Sequence, residues 1–181
     1  MIETSFTVGG IYFLPFFYMK VVLIIRHAKS SWSDFSLPDF DRPLNDRGKK
    51  DAPEMAKRLI SQNIQVDCFI SSPAKRARKT AELFAKEFKT DKDDILFKPE
   101  LYEASASVFA EVISNAPSSA NTIAVFSHNP GITEFVNQLT QTRIDDMPTC
   151  AVFAVKAEIK DWKEFSSAPK DFWFFDYPKN S

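Results

Sequence analysis

Only two histidines occur in the 181 residues, and each closes an apolar run. His27 follows Val21-Val22-Leu23-Ile24-Ile25-Arg26, and His128 follows Thr122-Ile123-Ala124-Val125-Phe126-Ser127. Arg26 sits directly beside the first histidine, and Arg76 stands shortly after Ser71-Ser72-Pro73. These residue types suit chemistry at phosphorus. A neutral imidazole can attack a phosphoryl group and split its transfer into two steps. A second imidazole can donate a hydrogen bond to the phosphoryl oxygens. Guanidinium groups can neutralise those oxygens and stabilise charge during transfer. Each feature alone has a plainer reading. Arg26-His27 could be a surface turn, and Lys75, Arg76, Arg78 and Lys79 could be a solvated basic face. The plainer reading is kept for Arg78 and Lys79.

Positioning decides between the readings. Val21 to Ile25 is an unbroken apolar, mostly β-branched run, which predicts a strand buried on both faces. The run ending at Ser127 predicts another, and Val66 to Ser71 a shorter one before Arg76. In an open α/β sheet the carboxyl ends of the strands line the ligand crevice. Both histidines and both arginines therefore fall at predicted strand ends, which points to one shared site. Arg76 would lie in the first turn of a helix beginning at Pro73, where free N–H groups and the dipole already favour anions.

The other elements follow from pattern. Asn45 or Asp46 caps a helix carrying Met55, Ala56, Leu59 and Ile60 toward the core. Pro53 predicts an irregular or kinked first turn. Ala77, Ala81, Leu83, Phe84 and Phe88 give the next helix its apolar residues. A strand at Ile95 to Phe97, helices over Ala106 to Asn115 and from Pro130, and strands over Cys150 to Val155 and Phe172 to Phe175 complete the chain. Strands alternating with helices predict an α/β fold: a single-domain three-layer α/β/α sandwich around a mostly parallel sheet.

Composition narrows the function classes. Hydrophobic residues make up 44% and charged residues 26%, with a net charge of -1. No global basic field exists for nucleic acid. Cys68 and Cys150 lie in apolar, strand-like settings and read as buried thiols rather than a disulfide. No CxxC or HxxxH pattern suggests a zinc site, so neither a metal nor another cofactor is expected. Residues 1–18 read as an N-terminal extension ahead of a domain over 19–181, with Met19 as a natural alternative start. The apolar stretch Ile11 to Met19 is shorter than the roughly 20 residues of a membrane span. It also lacks the basic flank of a signal peptide. The expectation is a soluble cytoplasmic protein without a membrane partner.

Three strings occur in a recognisable order: Arg26-His27-Ala28, Ser72-Pro73-Ala74-Lys75-Arg76-Ala77 and Ser127-His128-Asn129-Pro130-Gly131. Together they resemble the histidine phosphatase superfamily, related to cofactor-dependent phosphoglycerate mutase. RHAKSSW and DRPLNDRG look like its SixA-type phosphohistidine phosphatase branch. The resemblance runs from about Met19 to the C-terminus. It implies a phosphoglycerate mutase-like fold, with His27 as the phosphorylated nucleophile and Arg26, Arg76 and His128 completing a phosphate pocket. Many members read Arg-His-Gly-Glu and carry an Asn a few residues later. Here Ala28, Lys29 and Ser33 hold those places, so Ser33 and the Asn129 beside the second histidine are the substrate-binding candidates. Leu101-Tyr102-Glu103 matches the placement of a general acid in relatives, while a surface Glu near a helix start is the plainer reading. Trp32 reads as a pocket wall or core aromatic.

The function so implied is a metal-independent phosphatase working through a phosphohistidine intermediate. The segments after Trp32 and from Lys89 to Asn121 are short, which leaves an open site suited to a phosphohistidine-bearing protein. A small-molecule phosphomonoesterase and a non-catalytic phosphohistidine-binding module are the alternatives. The intact His27 counts against the module, since binding alone needs no nucleophile.

Overall fold

The computed structural model describes residues 18–180. The expected extension over residues 1–18 lies, except for Tyr18, outside the described residues. Six strands form one mixed sheet: β1 (Met19–Arg26), β2 (Cys68–Ser71), β3 (Leu96–Phe97), β4 (Thr122–Ser127), β5 (Val152–Glu158) and β6 (Asp171–Asp176). Four α-helices accompany them: α1 (Asp46–Ser61), α2 (Lys75–Glu87), α3 (Ala106–Ser114) and α4 (Gly131–Leu139). The sheet order is β3-β2-β4-β1-β5-β6. Strands β3, β2, β4 and β1 run parallel, and β5 and β6 join antiparallel at the far edge.

The period-2 geometry of a strand sends successive side chains to opposite faces. Val21, Leu23 and Ile25 of β1 pack with Ala52, Met55, Ala56 and Leu59 of α1 and with Ala81, Phe84 and Ala85 of α2. Val22 and Ile24 face the other way, toward Phe109 and Ile113 of α3 and Ile132, Phe135 and Val136 of α4. Two helices therefore cover each face, the three-layer α/β/α arrangement expected. Val22 to Ile25 are fully buried, which is why the run is apolar throughout rather than alternating.

This topology sets up the site. α1 follows β1 onto one face and α4 follows β4 onto the other, so the chain parts between two adjacent parallel strands. Such a switch point opens a crevice at the carboxyl ends. Arg26 pairs in register with Ser127, and Ser71 with Phe126, so three strands end at one level.

Local details depart from expectation at four places. Pro73 does not open α2, which begins at Lys75 with Ala74 as its cap residue. Pro53 leaves no break: it lies within the continuous α1, capped by Asn45, whose side chain accepts from the Gly48 N–H. Burial of Ala52, Met55, Ala56 and Leu59 offsets the hydrogen bond that Pro53 cannot donate. Ile60 is exposed rather than core-facing. Cys150 precedes β5 in a left-handed turn with φ 65°, not in a strand.

Two glycines are set by close approach. A Cβ on Gly48 would lie 2.2 Å from the Lys29 carbonyl oxygen, and one on Gly131 1.8 Å from the Ala104 oxygen. Neither backbone oxygen can retreat without moving a segment beside a histidine. Gly131→Ala is therefore expected to destabilise the fold by about 1–3 kcal/mol, the usual cost of overpacking. Urea denaturation measures this, and an unchanged midpoint would refute the close fit. Among the described residues no helix is long and apolar enough to cross a membrane.

Candidate active site

The ends of β1, β2 and β4 bring His27, Arg76 and His128 together. The rings of His27 and His128 lie 5.0 Å apart between centroids. His27 is only 7% exposed. Its Nδ1 lies 2.8 Å from the Ala28 carbonyl oxygen, and its Nε2 lies 3.1 Å from Arg76 Nε. A carbonyl only accepts and a guanidinium only donates. The ring is therefore the neutral tautomer with its proton on Nδ1 and its lone pair on Nε2. Thr80 locks this geometry, since its buried hydroxyl accepts from the Ala28 N–H at 2.9 Å and donates to the Arg76 carbonyl at 2.7 Å.

His128 Nε2 pairs with the Ser72 hydroxyl at 2.8 Å. Tyr102 meets the same ring edge-on, with centroids 5.6 Å apart. Ser127 anchors that neighbourhood through a 2.7 Å hydrogen bond from its hydroxyl to the Leu101 carbonyl. Among the described residues, two buried side-chain polar atoms have no hydrogen-bond partner: His128 Nδ1 and Arg26 Nε. Arg26 spends a terminal nitrogen on Asp146 at 3.3 Å and on the Met147 carbonyl.

Burial pushes the His27 imidazole down to about 3, with further lowering from Arg76, Arg26 and Arg42 against the opposing Ala28 hydrogen bond. Burial likewise lowers His128, helped by His27 and Arg76. Both rings are neutral at physiological pH. The unfolded chain titrates near 6.5, so it takes up protons first as pH falls. Stability from these two rings is complete above about pH 6.5 and is lost on acidification below it. Because the chain has only two histidines, their ring Cε1–H NMR signals report the charge directly. Neither is expected to titrate between pH 8 and 5. A midpoint near 6.5 for either ring would contradict the buried neutral assignment.

Sequence reasoning missed Arg42 and Asp39. Arg42 is buried, and its guanidinium donates to Ser30 Oγ at 2.7 Å, to the Ser31 carbonyl at 3.2 Å and to Asp39 Oδ1 at 2.8 Å. Trp32 is not a core aromatic: it is 60% exposed, and its ring centroid lies 3.2 Å from the Arg42 guanidinium carbon. DRPLNDRG carried the only signal for Arg42, since a loop residue beside a proline has no periodicity to mark it.

The remaining candidates stand further out. Ser33 is exposed and shares a 2.7 Å contact with the Ser31 hydroxyl. Asn129 donates to Asp146, the partner of Arg26, and accepts from Thr133 at 2.8 Å. Glu103 is exposed on a left-handed backbone with φ 54°, while its neighbour Tyr102 reaches the site. Among the described residues no group of three or more His, Cys, Asp or Glu side chains could hold a metal ion.

The family model "Histidine phosphatase superfamily (branch 1)" matches residues 22–111, a stretch containing Arg26, His27, Arg42, Arg76 and Glu103. An uncharacterised chloroplastic protein of Arabidopsis thaliana is 31% identical over 151 residues, 79% of this chain and 69% of that one. The chain belongs to the histidine phosphatase superfamily. It is accordingly a phosphatase. The fold agrees. The protein histidine phosphatase SixA in complex with tungstate superposes with a TM-score of 0.74 at 22% identity, covering 88% of this chain and 98% of that one. A SixA structure from Agrobacterium tumefaciens gives 0.73 at 23% identity over 88% and 98%. Within the histidine phosphatases, then, this chain has a SixA-like fold.

Proposed function

We propose that this phosphatase hydrolyses phosphohistidine on a protein through a phosphorylated His27, without a metal. The observation that carries the reading is the tautomer of His27. A neutral ring offers its Nε2 lone pair while Ala28 holds the Nδ1 proton. In the first step Nε2 bonds to phosphorus and the bond from phosphorus to the substrate nitrogen breaks. The departing imidazole, protonated on its other nitrogen, leaves as a neutral molecule. The phosphorylated His27 is then a cation whose proton stays on Nδ1, hydrogen-bonded to the Ala28 carbonyl. Water attacks its phosphorus in the second step, releasing orthophosphate and restoring the neutral ring. Arg26, Arg76 and His128 hold the phosphoryl oxygens, with Ser33 and Asn129 as outer contacts. The unpartnered Arg26 Nε and His128 Nδ1 are hydrogen-bonding capacity that a phosphoryl group would use.

The surface beside the site supports a protein substrate. Trp32, Phe35 and Phe40, all on the loop leading to Arg42, are exposed, Phe35 by 88%. Aromatic side chains of this kind are enriched at protein interfaces. The free, buried Cys68 and Cys150 support a reducing, cytoplasmic setting.

The test is kcat/KM on a phosphohistidine protein and on an alkyl phosphate, for the wild type and Glu103→Gln. An ester leaves as an alkoxide and needs a general acid, whereas a protonated imidazole does not. Glu103 is assigned as that acid. The substitution is expected to slow the ester by roughly 10²-fold and phosphohistidine far less. Faster turnover of the ester than of phosphohistidine in the wild type would overturn the substrate assignment. Equal losses on both substrates would overturn the division of labour.

A further inference from the structure

All three nitrogens of Arg76 are engaged, and two of them are held by one residue. Nε donates to His27 Nε2 at 3.1 Å, one terminal nitrogen to the Asp39 carbonyl at 2.5 Å, and the other to Asp39 Oδ2 at 2.8 Å. The Asp39 carboxylate is itself shared. Oδ1 accepts from Arg42 at 2.8 Å, and Oδ2 also accepts from the Tyr102 hydroxyl at 3.0 Å. One carboxylate thus collects two guanidinium groups and a phenol. Carboxylate and phosphate oxygens satisfy the same guanidinium fork. The same contacts hold the Arg76 Nε–H on the lone pair that His27 would use for attack.

We propose that Asp39 is a positioning residue that occupies the phosphoryl-oxygen contacts of Arg76 and Arg42 in the resting enzyme and is displaced by the incoming phosphoryl group. This rests on the phosphoryl-transfer reading of the site. While Asp39 is in place, the two guanidinium groups are ordered and partly neutralised, and Arg76 caps the nucleophile. When phosphoryl oxygens take over the fork, Arg76 leaves Nε2 and the lone pair is released toward phosphorus. The nucleophile is exposed only when its target is present.

Asp39 is placed to leave. It belongs to a short 3-10 turn, Asp39–Asp41, and its side chain is 47% exposed. No sheet or α-helix has to break for it to move. Burial acts to raise its carboxyl, but hydrogen bonds from Arg42, Arg76 and Tyr102 outweigh this and hold it at about 2. The competing group therefore stays anionic across the physiological range, and only another anion dislodges it.

An internal competitor weakens the apparent affinity of a ligand, because the closed form must first be given up. Its removal tightens binding, whereas loss of an ordinary structural contact loosens it. Orthophosphate is the probe, titrated calorimetrically into wild type, Asp39→Asn, Asp39→Ala and Tyr102→Phe. Asp39→Asn keeps the size and an acceptor for Tyr102 but removes the charge. Both Asp39 variants are expected to bind orthophosphate roughly tenfold or more tightly than wild type, the scale of a charge-assisted pair lost from the resting state. Tyr102→Phe removes one of the contacts to the carboxylate and should tighten binding by less. Unchanged or weaker binding in both Asp39 variants would overturn the proposal. Tighter binding in a protein that turns nothing over would leave Asp39 as the competitor and remove the hydrolysis of phosphohistidine. Turnover with unaltered affinity would do the reverse, and absence of binding in every form would remove the site itself.

Discussion

His27→Ala is expected to leave a folded protein with turnover reduced on the order of 10⁴-fold or more, the scale on which loss of a covalent nucleophile is felt. The effect is chemical because of where the side chain sits. His27 lies just past the end of β1, outside the apolar run that binds the sheet to its helices. Its removal leaves the Ala28 carbonyl without the Nδ1 donor, a cost of about 1–3 kcal/mol for a buried acceptor. Loss of a buried ring that must stay neutral offsets part of this in acid. The urea midpoint and the rate, measured on one preparation, separate the two effects. Near-normal hydrolysis by the folded variant would remove His27 from the mechanism.

Arg76→Lys keeps the charge and discards the fork, and kcat/KM is expected to fall by roughly 10²–10³-fold, the usual worth of one donor to a developing oxyanion. Arginine reaches His27 and both the carbonyl and carboxylate of Asp39 at once through three nitrogens in one plane. A lysine ammonium is a single point and cannot address phosphoryl oxygens bidentately. Thr80 bonds to the Arg76 main chain rather than its side chain, so the loop after His27 keeps its anchor in the variant. A loss below about threefold would show that charge alone suffices, against the magnitude expected for a preorganised donor.

The parts of this molecule that sequence made legible are those governed by burial. Val21 to Ile25 is apolar at every position because both faces of β1 are covered, and the polar residues begin where the cover ends. His27, His128 and Arg76 stood out against that boundary. Arg42 and Asp39 had no such contrast. Asp39 meets Arg76, and Arg42 meets Asp39, only because the loop after Trp32 folds back across the strand ends, with Ser31 N–H bonded to the Pro43 carbonyl at 2.8 Å and Asn45 N–H to the Lys29 carbonyl at 3.0 Å. That path is tertiary and leaves no period in the sequence. Pro53 misled for a related reason: its local cost is real, but packing of α1 against the sheet exceeds it. Cys150 misled because its apolar neighbours belong to β5, while its own backbone turns with φ 65° to feed that strand. Its N–H reaches the carbonyls of Arg26 and His27, both at 3.1 Å, so this turn helps to seat the nucleophile.

The central claim is that phosphate passes through His27 Nε2. Rapid acid-free quenching after mixing with a ³²P-labelled phosphohistidine protein, followed by peptide mapping, tests it directly. The label is predicted on the peptide containing His27, stable to base, labile to acid, and absent from His27→Ala. A base-labile, hydroxylamine-sensitive adduct on a carboxylate, or turnover with no label on His27, would contradict it.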